Sequence, residues 1–275
     1  MIDPVELHAF ARNLERLGVD PPAEFVRART LLTLGIDTAL ANPVDPLLAD
    51  FASGALTAAE FPGRLRAAAL EVAAKDSARA VLRDMSPALV RHAIRAVRDD
   101  GDRLITELRR PFDEAKASMA TAGSLFDERT SPERVLALGG EAAAAWQRMA
   151  ADADVLDAVL TARMDMSRWG YGTAPQRSLM FVSGIGTADA LAVAEQAFSR
   201  PAGPGRQWHV LTAAGFPLHL STAAEVVATQ ARLREEADQQ AEADRRRQTD
   251  SWRSPYAPHG SGLFPAALDT APGVA

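Results

Sequence analysis

The middle of the chain has the most regular spacing of apolar positions. Apolar or small residues recur there at alternating steps of three and four, first between Pro87 and Ala122 and again between Pro132 and Trp169. This spacing predicts two helices, each with one narrow apolar seam. The first seam is Val90, Ile94, Val97, Gly101, Leu104, Leu108, Phe112, Ala115 and Met119, and the second is Val135, Leu138, Ala142, Ala145, Met149, Ala153, Leu156 and Leu160.

The short segment GSLFDERTS joins the two series. We therefore expect an antiparallel hairpin of two helices, each of about 36 residues and about 54 Å. Pro111 is expected to kink the first helix, and Gly101 to weaken it. Because two helices with an alanine-rich seam bury little surface, we expect the hairpin to pack against the N-terminal helices or against another copy of the chain.

The first 85 residues carry start and stop signals of several other helices. Asp3 is expected to cap a first helix, which Gly18 ends. Thr57 and Glu60 have the spacing of a capping box in front of a longer helix. The predicted helices after the first cover 23–42, 45–54 and 62–85.

The pattern changes again after residue 172. Short strand-like runs occupy 178–184, 206–212 and 216–221, and helical periods occupy 187–198 and 222–248. This order predicts a small βαββα layer. Beyond Leu233 the last helix has almost no apolar face, so we expect it to project into solvent or to meet a partner.

The predicted fold is thus mainly α, with a small C-terminal α+β module. We divide it into an N-terminal helical region (1–85), the long hairpin (86–172), the α+β module with its extended last helix (173–248) and a flexible arm (249–275). The arm is rich in Pro, Gly and Ser, a composition typical of segments that are disordered when free.

Composition excludes several function classes. A net charge of −6 and a pI near 5.5 argue against a protein that mainly binds nucleic acid non-specifically. The absence of cysteine removes thiolate nucleophiles, disulfides and cysteine-ligated metals. No signal peptide or membrane span is recognisable, so we expect a cytoplasmic protein, or one inside an assembled particle.

Gly184 and Gly186 form the one stretch that resembles a phosphate-binding loop. A dinucleotide-binding loop needs a third glycine where Asp189 stands, and no Walker lysine follows. A carboxylate in the first helical turn would repel a phosphate there. We interpret the stretch as a tight corner with Thr187 as helix cap, and we predict no cofactor.

Two histidines attract attention in the run WHVLTAAGFPLHL. If Ala213, Ala214 and Gly215 form a hairpin loop, His209 faces His219 across two strands. We expect an ordinary surface or interface pair; a metal site or a proton-linked switch is the alternative.

Other polar residues give no catalytic constellation. His8 and His92 have no identifiable triad partner. The aspartates of RDDGDR at 98–103 lack the spacing of a calcium loop, and we expect a helix break or a solvated turn there instead. Asp152, Asp154 and Asp157 are expected on a solvated helix face. We therefore predict no catalytic and no metal-binding residue.

The C-terminal end offers candidates for contact with other molecules. Arg245, Arg246 and Arg247 are possible phosphate contacts, although the acidic residues before them nearly cancel their charge. Trp252, Tyr256 and Phe264 are possible docking residues, because aromatic side chains in a flexible segment can fill pockets on a partner.

These observations predict a non-enzymatic assembly or interaction protein that self-associates or belongs to a larger particle, including a bacteriophage virion or its assembly machinery. Membrane and nucleic-acid partners are not expected. One alternative is an enzyme or ligand-binding protein with a site between the α+β module and the helices. Another is a regulator that touches nucleic acid through the arginine cluster. We expect the arm to be dispensable for folding and needed for association.

Overall fold

The computed structural model describes residues 3–37, 45, 49–50, 52–57, 59–126, 130–173, 178–199 and 203–253. Over these residues the fold is mainly helical, as predicted. The helices are α1 (Pro4–Arg16), α2 (Ala23–Asp37), α3 (Phe61–Asp99), α4 (Gly101–Gly123), α5 (Pro132–Leu138), α6 (Gly140–Arg168), α7 (Ala188–Phe198), α8 (Arg206–Ala213) and α9 (Ala223–Arg253), with a 3₁₀ turn at Ser178–Phe181. The chain divides into two units, Met1–Gln230 and Ala231–Ala275. The finer division predicted from the sequence stays a prediction.

Helix α1 forms as its sequence predicts. The Asp3 side chain accepts a 2.9 Å hydrogen bond from the Val5 N–H, and Gly18 ends the helix region with φ of +69°. The apolar face is buried and includes Phe10, whose ring meets those of Phe25 and Trp169 edge-on at 5.7 and 4.7 Å. Helix α1 therefore joins α2 to the end of α6.

The predicted central hairpin is present as α4 packed against α6, but its arms are interrupted. The first arm breaks at Asp100, so that Pro87 lies inside α3 and the hairpin helix begins at Gly101. The second arm breaks at Gly139, whose φ of +97° favours glycine. Most seam residues are buried; Leu138, next to the break, is 58% exposed.

The remaining apolar edge of the hairpin is covered within the same chain. Helix α1 packs on α6, and the Asn13 side-chain amide donates a 2.7 Å hydrogen bond to the Ala158 carbonyl. On another side, α8 places Trp208 edge-on against Phe112 of α4 at 6.4 Å. The expected packing against N-terminal helices is confirmed for α1.

The predicted βαββα module is wrong, because no strand forms among the described residues. Residues 206–212, predicted as a strand, lie in α8, and 178–181 form the 3₁₀ turn. The segment around 217–221 is extended and donates backbone hydrogen bonds from His219 to Val182 and from Ser221 to Phe181, at 2.9 and 2.8 Å. Ser183 and Leu218 form an isolated antiparallel bridge. The two helical predictions correspond to α7 and α9.

Candidate interaction surface on α3

Helix α3 has two distinct faces. One face includes the buried Ala68, Val90, Ala93 and Val97 and packs along α2. The opposite face is exposed, yet it carries a row of apolar or small residues at steps of three and four. We call this row the α3 stripe; its members, all exposed, are Ala67, Leu70, Ala74, Ser77, Val81, Met85 and Ala88.

The large members of the α3 stripe are far more exposed than the core residues of this chain. Leu70 is 67% exposed, Val81 56% and Met85 45%, whereas Leu104 and Leu108 of α4 are fully buried. Single exposed apolar residues are normal on protein surfaces, but a continuous row at helical spacing is not. The row has the form of one side of a coiled-coil seam.

Local interactions hold the start of α3 without using the stripe. Glu60 accepts hydrogen bonds from the Thr57 N–H and hydroxyl at 3.2 and 2.6 Å, and these bonds lower the pKa of Glu60. Beyond the start, Lys75 pairs with Glu71 at 3.0 Å and Arg79 with Asp76 at 3.1 Å, beside the stripe. The stripe itself is left free of these ion pairs.

The predicted histidine pair is wrong. His209 lies in α8, is 4% exposed, and its Nε2 is 3.3 Å from the Gly123 carbonyl, to which it donates. His219 lies on the extended segment, where its Nε2 is 3.0 Å from Arg109 Nη2 and 3.4 Å from Glu225 Oε1. The reason is that the run around Trp208 is helical, so no hairpin brings the two rings together.

Three cations from the hairpin hold the extended segment that contains His219. Lys116 donates to the Leu218 carbonyl at 3.1 Å, Arg109 to the Leu220 carbonyl at 3.0 Å, and Arg163 to the Ser221 carbonyl at 3.1 Å. Sequence reasoning missed this cation clamp, because nothing local connects these side chains with carbonyls 58 to 111 residues away. The arrangement fixes backbone rather than presenting charge to a ligand.

Arg163 is the most unusual member of the cation clamp. It is fully buried, with its guanidinium 5.0 Å from the Tyr171 ring centre and 4.3 Å from that of Phe181. Neither Nη atom has a hydrogen-bond partner among the residues that the structure describes. Burial lowers the pKa of Arg163 to about 10. The two rings provide the cation–π contact that offsets part of its desolvation.

A second unpredicted cluster surrounds Asp157. Its Oδ1 accepts hydrogen bonds from Trp208 Nε1 at 2.7 Å and Gln207 Nε2 at 3.1 Å, and its Oδ2 from Arg206. Asp154 accepts a further bond from Arg206 at 2.7 Å. The expectation of a solvated aspartate face is therefore wrong at Asp157, which anchors α8 to α6.

The remaining candidates that the structure describes have polar partners of their own. Arg245 and Arg246 pair with Glu242 at 2.9 and 3.1 Å, and Arg247 pairs with Asp244. The side chain of Trp252, and all of Tyr256 and Phe264, lie outside the described residues. His8 is 3.5 Å from the Thr33 hydroxyl, and His92 is 3.3 Å from Glu24 in a half-exposed pair.

The glycine corner is confirmed as a helix entry. The Ala190 N–H donates to the Thr187 hydroxyl at 3.3 Å, and Asp189 lies in the first turn of α7. The Gly184 N–H, which a phosphate would need, donates to the Pro217 carbonyl at 2.7 Å instead. Across the described part of the chain, no cluster of three or more His, Asp or Glu side chains is placed to hold a metal ion.

Comparison with known proteins found no match. The chain matches no protein-family model, no curated protein and no solved structure. Within the described residues, no helix combines the length and the apolar content needed to cross a bilayer.

Proposed function

We propose that this protein is a non-enzymatic assembly protein that associates with further copies of itself through the α3 stripe. The observation that supports this proposal is the exposed apolar row Leu70, Val81 and Met85 on a helix whose other face is already packed on α2. When one apolar face of a helix is already packed within the chain, a second, exposed apolar face is suited to contact with another protein.

The dimensions of the α3 stripe suit a reversible interface. From Ala67 to Ala88 it is about 32 Å long, and with a width of about 10 Å it covers on the order of 300 Å², the size of patches that are often functional. Burial of its large side chains contributes about 1–2 kcal/mol each, or about 6–12 kcal/mol over two copies. Set against a cost of association of about 4–15 kcal/mol, this gain leaves at most about 8 kcal/mol, which corresponds to a dissociation constant of about 1 μM. We therefore expect association at micromolar concentrations and above.

The polar groups favour assembly over catalysis. Arg109, His219 and Glu225, the best candidates for a catalytic group, contact one another, and Arg109 also holds the Leu220 carbonyl. Hydrogen bonds from Thr222 and the charge of Arg109 outweigh burial and lower the pKa of Glu225, which keeps it ionised as an ion-pair partner. Each group is thus engaged in holding the fold.

The assembly in which such a protein works is a homo-oligomer or a larger particle. Residues 237–249, in the distal part of α9, support this setting. They are exposed and mostly polar, so they form a surface with no buried apolar residue beneath it. Contacts from Trp252, Tyr256 and Phe264 to other subunits belong to the same proposal.

Light scattering over a range of concentrations tests the proposal. One chain has a mass of 29.3 kDa. We expect the weight-average mass to rise towards at least twice this value as the concentration passes through the micromolar range. A constant mass of one chain at high concentration would contradict self-association.

A further inference from the structure

We infer that two copies of α3 pair antiparallel about a twofold axis, so that Leu70 of each copy packs on Val81 of the other. This inference rests on the proposed self-association through the α3 stripe and specifies the partner and its direction. The observations that support it are the residues at successive positions of the α3 stripe and two exposed charged residues beside it, Arg66 and Asp84.

The spacing of the residues along the α3 stripe determines which positions face a partner helix. Ala67, Ala74, Val81 and Ala88 recur every seven residues, and Leu70 and Ser77 form a second series between them, which Met85 ends one residue beyond the seven-residue spacing. In a parallel pair each residue faces the same residue of the second helix. In an antiparallel pair the residues of the first series face those of the second series. The two directions therefore bring different side chains together.

A parallel pair is unfavourable at one layer. It would bring Asp84 of one copy level with Asp84 of the other beside the seam, where the two carboxylates repel each other. The antiparallel register that sets Leu70 against Val81 sets Ala74 against Ser77 and Asp84 against Ala67. Leu70 and Val81 meet each other across the seam, and small residues fill the centre, where the helices can approach closely.

Charge complementarity at the ends supports the same direction. Asp84 and Arg66 are both exposed, and neither has an ion-pair partner within the described part of the chain. They lie 18 positions apart, about 27 Å along one helix, so they cannot pair within a copy. In the antiparallel register Asp84 of one copy falls within one residue of the level of Arg66 of the other. The twofold axis repeats this pair at the opposite end.

Disulfide trapping tests the direction, because the natural chain contains no cysteine. Two single variants are prepared, Leu70→Cys and Val81→Cys, and are oxidised separately and as an equimolar mixture. We expect a covalent dimer in the mixture and little in either variant alone. In the antiparallel register two copies of residue 70 are 11 positions apart, about 16 Å, which exceeds the roughly 7 Å limit between Cα atoms of a disulfide.

The outcomes separate this inference from the proposed function. Covalent dimers of Leu70→Cys with itself, at the yield of the mixture, would overturn the direction while leaving self-association in place. A dimer by light scattering that gives no cross-link in any sample would show an interface elsewhere and overturn the inference. A chain that is monomeric by light scattering overturns both.

Charge reversal supplies a second readout that needs no cross-link. Arg66→Asp alone and Asp84→Arg alone each place like charges side by side, and we expect each to raise the dimer dissociation constant roughly tenfold at low salt. The double variant restores opposite charges and should return to within about threefold of the natural chain. Additive weakening in the double variant would overturn the inference.

Discussion

The indole N–H of Trp208 donates a 2.7 Å hydrogen bond to Asp157 Oδ1, from a position 51 residues further along the chain. Trp208 is fully buried, and its ring also meets Phe198 edge-on at 5.3 Å. The bond thus satisfies a buried donor and fixes α8 against α6 at the same time. It is one of the contacts that hold this strand-like run of sequence as a helix in a defined position.

Replacement of Asp157 by Ala should lower the free energy of unfolding by about 2 kcal/mol, because the buried Trp208 N–H loses its acceptor. Asp154→Ala is the matched control. It removes a neighbouring carboxylate that contacts only the exposed end of Arg206, and it should cost less than about 1 kcal/mol. Urea unfolding followed by circular dichroism measures both. Equal losses in the two variants would show that the Trp208 bond has no special weight.

Gly101 is required by the Tyr171 ring. A Cβ atom at Gly101 would overlap the ring atoms of Tyr171, whereas one at Gly140 would meet nothing within 4 Å. We expect Gly101→Ala to destabilise the protein by about 2 kcal/mol. Gly140→Ala should stabilise it by about 0.5 kcal/mol, since it restricts the unfolded chain at a helical position. The melting temperatures should therefore move in opposite directions, and a rise in both would contradict the close contact.

Tyr171 should lose its proton at a higher pH than an ordinary tyrosine. Burial, together with its hydrogen bond to Asp102, raises the pKa of Tyr171 to about 12. The chain has two tyrosines, so that in a Tyr256→Phe variant Tyr171 alone contributes phenolate absorbance. We expect its midpoint near pH 12, and a lower midpoint when Asp102 is also changed to Asn. A midpoint near 10, the ordinary value, would contradict the buried hydrogen bond.

The raised pKa of Tyr171 also makes the free energy of unfolding depend on pH. The folded protein retains the Tyr171 proton in a range of pH where the unfolded chain loses it. The contribution of Tyr171 to the free energy of unfolding is therefore complete below pH 10 and is lost as the pH rises from 10 to about 12.

The parts of the fold that could be predicted from sequence are those with local causes. Asp3 and Gly18 delimit α1, and Thr187 caps α7, because caps act within one helical turn. The hairpin seam was visible because the apolar period persists over many turns. The break at Asp100 lies in the RDDGDR segment, where a helix break or a solvated turn was expected, whereas the interruption at Gly139 was missed, since the seam continues across it without a change of step.

The α+β prediction failed for a reason that lies outside the local pattern. A short apolar run such as 208–211 has no decisive period and suits a strand or a helix equally. The hydrogen bonds of Asp157 and the packing of His209 against Gly123 select the helix, and both partners are distant in sequence. The extended run at 217–221 pairs with 181–184 instead, which no hairpin signal could reveal.

The α3 stripe was equally hidden in the sequence. Alanine is frequent on every side of α3, so its pattern alone does not say which face packs on α2. The structure assigns Ala68 and Val90 to the buried face, and this assignment leaves Leu70 and Val81 outside. A candidate interface thus becomes visible only when the partners of the other face are known.

The mass of a charged variant of the α3 stripe tests the central claim most directly. Leu70→Glu and Val81→Glu introduce a charge into the stripe, and Ala69→Glu introduces the same charge on an exposed position of the same helix off the stripe. Sedimentation equilibrium at one micromolar-range concentration should show the natural chain and Ala69→Glu as associated species, and Leu70→Glu and Val81→Glu as folded monomers of 29.3 kDa. Association that is unchanged in both stripe variants would contradict the proposal.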